Sequence, residues 1–181
     1  GVTYAALVLL GTHRGLGKHL AQSELIFEYR SADTSISSQD REEHRLGFFL
    51  FFDSLWAKIN LRNEVQQFQD GLFRWDIRTC NEMVVREAIL NAVSHRDYRL
   101  GGSIFVRQYP RRLEVVSPGG FPSGISPDNI IWKQAPRNRR VAEALARCGL
   151  VERAGQGMDR IFGECIRESK PRPDFSRSDA Y

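Results

Sequence analysis

Three polar side chains recur at four-residue intervals along one stretch of the chain: Glu87, Asn91 and His95. Positions i, i+4 and i+8 share one side of a helix, each about a turn from the next. The other positions, Val84, Val85, Ala88, Ile89, Ala92 and Val93, form an apolar stripe suited to a core. A carboxylate, a carboxamide and an imidazole beside such a stripe are costly to bury without partners. An Asn carbonyl oxygen suits Mg²⁺, which takes hard oxygen ligands and keeps waters and substrate phosphates. A Glu one turn away can orient or deprotonate an attacking water. The same spacing also fits the solvated polar face of an amphipathic helix, and spacing alone leaves both readings open.

Two glycine pairs form a second group: Gly119-Gly120, and Gly155 with Gly157 around Gln156. Glycine lets the backbone come close to a ligand and adopt positive φ. A glycine turn that opens a helix can aim N–H groups at phosphate. Ordinary turns use glycine for the same conformational reasons. Two apparent motifs fail on spacing. Gly11 to His19 lacks the Gly at 12 and the Ser or Thr at 19 that a phosphate-binding P-loop requires. No G-x-G-x-x-G follows a strand, so a dinucleotide fold has no support. The four histidines are not paired at metal-ligand spacing, and Ser94 and His95, adjacent on a helix, do not face each other.

These groups need elements to hold them. Asn81 is a helix cap and Glu82 to His95 one helix. Residues 104–109 and 113–116 read as two strands around a Pro110-Arg111-Arg112 turn, followed by a Pro/Gly-rich loop at 117–124 and an irregular flap over 125–137. Asn138 to Cys148 is a helix stopped by Gly149, and Gly155-Gln156-Gly157 opens another that runs to about Ser169. Upstream, residues 2–10 form a short helix and Leu25 to Tyr29 a strand, with a polar loop over 31–40. Apolar residues at helical spacing (Phe48, Phe52, Leu55, Ile59) predict a long amphipathic helix from Arg41 to about Phe68, broken near Asn60. Asp70-Gly71 marks a tight turn between two short strands in 69–79.

Composition narrows the partners. With 181 residues, 41% hydrophobic, the chain can bury a core without disulfides. Its apolar runs, Tyr4 to Leu10 and Phe48 to Phe52 among them, are far too short to span a bilayer. Gly1 to Tyr4 has neither a start Met nor a basic segment before the apolar patch, so it is not read as a secretion signal. The three cysteines, Cys80, Cys148 and Cys165, show no C-x-x-C and suit small buried thiols in a reducing cytoplasm. Residues 96–140 hold nine basic against three acidic side chains, a local +6 in a chain of net +4. That centre should attract anions, either nucleotide phosphates or nucleic acid, unless it is simply a solvated basic face.

The element order, a helix with E-x-x-x-N, two strands, a Gly-rich loop, a flap, a helix, G-x-G and a further helix, resembles the GHKL-type (Bergerat) ATPase fold. It is most similar to the branch found in RecG-related, AlbA/Schlafen-associated transcriptional regulators. The resemblance rests on Arg86 to Tyr98, Ser117 to Pro122, Pro136 to Asn138 and Gly149 to Met158, and covers roughly residues 80–170. It implies an α+β two-layer sandwich, a mixed sheet covered by helices on one face and cut short at its C-terminus. Residues 1–60 would be a linker or helical segment following an absent N-terminal domain, and 61–181 the nucleotide-binding domain.

Carried over by residue, the resemblance makes Glu87 the general base and Asn91 the Mg²⁺ ligand bridging the phosphates. Ser117, Gly119 and Gly120 would lie under adenine and ribose, residues 121–137 would form a lid, and Gly155 and Gly157 would face phosphate. His95, Arg96, Arg137 and Asn138 fall near the site. Ser117 stands where the wider family has an adenine-reading Asp, which leaves the choice of nucleotide open. The implied cofactors are ATP and Mg²⁺. The implied setting is a cytoplasmic, DNA-associated protein that reaches DNA through other domains, with a homodimer among its forms. No helicase motor motif is found. The competing readings are a non-hydrolysing module that binds nucleic acid through its basic centre, and a dimerisation segment using the Phe48–Ile59 helix.

Overall fold

Two threonines start the first two helices. Thr3 and Thr12 each accept a hydrogen bond through the side chain from the backbone N–H three residues on, at 3.2 Å in both cases. These caps begin α1 (Tyr4–Leu10) and α2 (His13–His19). Then come β1 (Leu25–Tyr29), β2 (Asp40–His44), a single 3-10 turn (Phe48–Leu50), α3 (Phe52–Asn60), β3 (Val65–Asp70) and β4 (Phe73–Arg78). The chain continues with α4 (Glu82–His95), β5 (Ile104–Gln108), β6 (Leu113–Val116), α5 (Arg139–Arg147) and α6 (Gly157–Arg167). This computed structural model describes residues 1–133, 135–151 and 157–178.

Four strands form a mixed sheet in the order β2-β1-β5-β6. β1 and β5 are parallel, and the two outer pairs are antiparallel. Period-2 alternation divides the side chains. Leu25, Phe27, Ile104 and Val106 enter a core shared with Val85, Ile89, Leu90 and Val93 of α4. The opposite face carries Glu28, which is only 6% exposed and sits between arginines of the neighbouring strands. Arg41 Nη1 is 2.7 Å from one Glu28 oxygen, and Arg107 Nε and Arg30 Nη2 are 3.1 and 3.0 Å from the other. Burial opposes ionisation of this carboxyl, but the guanidinium hydrogen bonds outweigh it and hold Glu28 below the usual carboxylate range. The mixed α/β sandwich with helices on one sheet face is thus the fold found.

Two expectations are corrected. The helix over 41–68 exists only as α3, which ends at Asn60. Residues 40–44 are a strand because they pair with β1, Leu25 opposite His44 and Tyr29 opposite Asp40. Asp40 and Glu42 face Lys58, with Asp40 Oδ2 3.1 Å from its Nζ. Phe48, Leu55 and Ile59 are 0–2% exposed, so that apolar stripe is core and cannot serve as a dimer surface. Residues on both sides of position 60 share one apolar core. Val8, Leu16 and Phe27 belong to the same apolar cluster as Ile89 and Val141, and β1 is hydrogen-bonded to β5. Among the described residues, no helix is long and apolar enough to cross a membrane.

Candidate functional site

α4 begins where expected because Asn81 Oδ1 accepts from the N–H groups of Met83 (2.9 Å) and Val84 (3.3 Å). Its polar face looks at α6, not at bulk solvent. Asn81 Nδ2 donates to Glu168 Oε1 at 2.6 Å near one end of the pair, and Asn91 Nδ2 contacts Met158 Sδ at 3.8 Å near the other. The two helices therefore run in opposite directions along each other. Between these contacts, Glu87 is 6% exposed and lies against Gly157. A methyl group built on Gly157 would overlap Glu87 Oε1 and stand 2.8 Å from its Cδ. The fold thus brings together Glu87, Asn91 and Gly157. Gly155 lies outside the described residues.

The other expected site residues gather at the C-terminal end of α4. Ser117 Oγ donates to Ala92 O at 3.2 Å. Asn138 Nδ2 donates to Ser94 O (2.9 Å) and Arg96 O (2.7 Å), and its backbone N–H also donates to Ser94 O. Asn138 thus satisfies carbonyls that the helix end leaves without partners, while Ser117 adds a second donor to Ala92 O, which already accepts the Arg96 N–H. Gly119 has φ +92, and a methyl group there would overlap Arg137 Nη1 and stand 2.7 Å from the Asp97 Cβ. Only glycine combines that backbone with that proximity. Arg137 Nη2 donates to Gly120 O at 2.8 Å, while its buried Nη1 has no hydrogen-bond partner among the described residues. His95 is partly buried nearby. Burial, and then the Arg137 charge, lower its pKa, so its ring is neutral at neutral pH.

A cleft of about 750 Å³ opens beside the first group. Trp56 and Asn60 of α3, Arg78 of β4, Arg86 and Glu87 of α4, and Arg160 of α6 line it. Asn91, Ser117, Gly119 and Gly157 are not among its lining residues. Sequence reading missed Trp56, Arg78 and Arg160, which come from elements far apart in the chain. Arg86, directly before Glu87, carried the only local signal.

The basic centre is largely neutralised from within. Arg107 is held by Glu28, Arg99 by Asp97 at 2.7 Å, Arg112 by Glu114 and Asp33 at 2.9 Å each, and Arg139 by Glu143 at 2.8 Å. Asp97 is in turn held far below the ordinary carboxyl range by its side-chain and backbone hydrogen bonds with Arg99. Arg96 is fully buried. Its Nη2 donates to Gln22 O (2.9 Å), Leu100 O (3.3 Å) and Gly102 O (2.6 Å), its Nη1 to Asp97 O (3.2 Å), and Tyr98 stacks beneath it. It knits a loop and offers nothing to an external anion. The cysteines also depart from expectation in one case: Cys80 and Cys165 are buried, but Cys148 is exposed.

With this geometry in view, the fold is a mixed α/β sandwich built on a four-stranded sheet. Residues 101–181 match the family model described as "Putative ATP-dependent DNA helicase recG C-terminal". Over those residues the chain is similar to a family described as ATP-dependent and RecG-related, in agreement with the resemblance read from the sequence. The match begins after α4, so Glu87, Asn91 and His95 lie outside it. A similar solved structure is the crystal structure of the DIP2311 protein from Corynebacterium diphtheriae, with TM-score 0.74 and 27% identity, covering 82% of this chain. The chain spans 31% of the length of that relative. No curated protein matches.

Proposed function

We propose that the chain is the nucleotide-binding module of a longer, DNA-associated cytoplasmic protein of the RecG-related type, that its ligand is ATP with Mg²⁺, and that Glu87 is its general base. The observation that carries this reading is the placement of the Glu87 carboxylate against the glycine that opens α6, with Asn91 one turn on. The Arg137 Nη1 beside Gly119, which has no hydrogen-bond partner among the described residues, fits an anionic ligand. Asn91 Oδ1 fits a cation that takes one or two protein oxygens and completes its shell with phosphates and water. Bound Mg²⁺ would supply charge neutralisation at the phosphates.

The protein's own part is to orient and to accept protons. Asn91, anchored through Nδ2 on Met158, presents its oxygen. Glu87, shielded from bulk water, would take the proton of an attacking water. Backbone N–H groups at Gly157 would meet phosphate charge. DNA association belongs in this reading to the rest of the longer protein, because the basic side chains of this module are mostly paired internally.

Thermal melting tests it. Mg-ATP at about 100 times its dissociation constant should add about 2.7 kcal/mol of stability. The gain should shrink with EDTA and in Asn91→Ala. Melting curves that no nucleotide shifts, with or without Mg²⁺, would overturn the proposal.

A further inference from the structure

β3 and β4 form a hairpin that pairs with no other strand among the described residues. Its loop is Gly71-Leu72, with Gly71 at φ +58, as the first central position of a tight II′ turn demands. The register sets Phe68 opposite Trp75, Gln66 opposite Ile77 and Asp70 opposite Phe73, so these six side chains share one face. The other face carries Asp76 and Arg78, which line the cleft beside Glu87. The hairpin is therefore two-sided: a polar face walls the cleft, and an aromatic face is turned away from the molecule. On that face Phe68 is 59% exposed, Phe73 70% and Trp75 57%, and Leu72 at the tip is fully exposed.

We infer that the Phe68/Phe73/Trp75 face of the hairpin is a self-association surface, covered by the same face of a second copy of this chain. A lone two-stranded hairpin is marginal in water without something packed on it, and contiguous exposed apolar patches of this kind mark interaction sites. The area argues for a second copy. An aromatic side chain offers ~150–250 Å², so these exposures leave about 400 Å² of ring surface per copy. Two copies then contribute about 800 Å² before Leu72, Ile77 and the polar rim are counted, against ~1,200 Å² at the low end of a stable interface. Geometry agrees: the Phe68–Trp75 pair sits midway along the face, so a two-fold axis through it stacks ring on ring and brings each tip toward the other hairpin's base. An isologous contact of this kind is the commonest closed assembly. The face carries one charge, Asp70, near the tip, where the axis keeps it from meeting its own copy. The inference stands apart from the nucleotide reading, and either can fail alone.

Sedimentation velocity of the 181-residue chain without nucleotide tests it, from about 1 to about 200 µM, where a micromolar pair assembles. The wild-type coefficient should climb to that of a dimer, with Trp75 emission moving to the blue. Phe68→Ser with Trp75→Thr should hold the chain monomeric across the range while the monomer stays folded, because both side chains face solvent in the monomer and the new pair adds no like charges across the strands. Gln69→Asp, on the opposite face, should dimerise like wild type. A wild-type chain that is monomeric throughout would overturn the inference and leave the face to another segment or a different protein. Self-association that survives the double substitution would overturn it equally.

Discussion

The carboxylate of Glu87 lies against the backbone of Gly157, one on the long central helix and the other at the first residue of α6. Neither position means much alone: E-x-x-x-N is common on amphipathic helices, and glycine is common at helix starts. Their contact is what joins the polar face of α4 to the start of α6. It also explains why a buried carboxylate and a glycine occupy these two positions.

Gly157→Ala tests the contact directly. The added methyl group displaces the Glu87 carboxylate, and overpacking of this sort costs about 1–3 kcal/mol. In a Glu87→Ala background that clash disappears. Urea denaturation of the wild type, the two single variants and the double variant should therefore give a coupling energy of about 0.5–3 kcal/mol. Additive effects would mean that the two residues do not meet.

Glu87→Gln separates binding from turnover. The amide keeps the shape of the side chain but cannot take a proton, so phosphate release from ATP should drop at least ~100-fold, the usual contribution of a general base. The Mg-ATP melting shift should stay within about a degree of wild type. Equal turnover in both proteins would remove Glu87 as the base.

Local signals were legible where local chemistry decides structure. The Asn81 cap, the Gly71 turn and the β5–β6 pair each declare themselves within a few residues, and the structure agrees with all three. Residues 40–44 were not legible, because their strand exists through pairing with β1, and an apolar period cannot register a partner fifteen residues upstream. Arg96 was misjudged for a similar reason. It looks like part of a basic face, yet the groups that hold it are backbone carbonyls of Gln22, Leu100 and Gly102, which leave no trace in residue type. Ser117 and Asn138 look like ligand contacts and instead spend their donors on the end of α4. The cleft, assembled from α3, β4, α4 and α6, has no sequence signature beyond Glu87 and the adjacent Arg86.

Protonation of His95 should cost stability. Its folded pKa lies below the unfolded value of about 6.5 because burial and the Arg137 charge disfavour the imidazolium. The unfolded chain then binds the proton first, and stability present above about pH 6.5 is lost as pH falls below it. His44, buried against Phe51, is lowered by desolvation and adds to the same loss. The lowered carboxyls, Glu28 and Asp97 among them, lose their contribution only at more acidic pH. Melting temperatures taken between about pH 7.5 and 5 should fall for wild type and fall less for His95→Gln. An unchanged slope in that variant would show that His95 titrates alike in both states.

Arg96 supplies the sharpest structural test, because its guanidinium is fully buried and faces carbonyls in place of a carboxylate. Arg96→Met preserves much of the volume but strands the carbonyls of Leu100 and Gly102, and an unsatisfied buried polar group costs about 1–3 kcal/mol. A loss of about 3 kcal/mol in urea unfolding is expected, with the 97–102 loop losing amide-exchange protection before the core does. Arg96→Lys keeps the charge but not the planar fork that reaches several acceptors at once. It should recover only part of the loss. Full recovery by lysine would mean that the charge, and not the geometry of the donors, holds the loop.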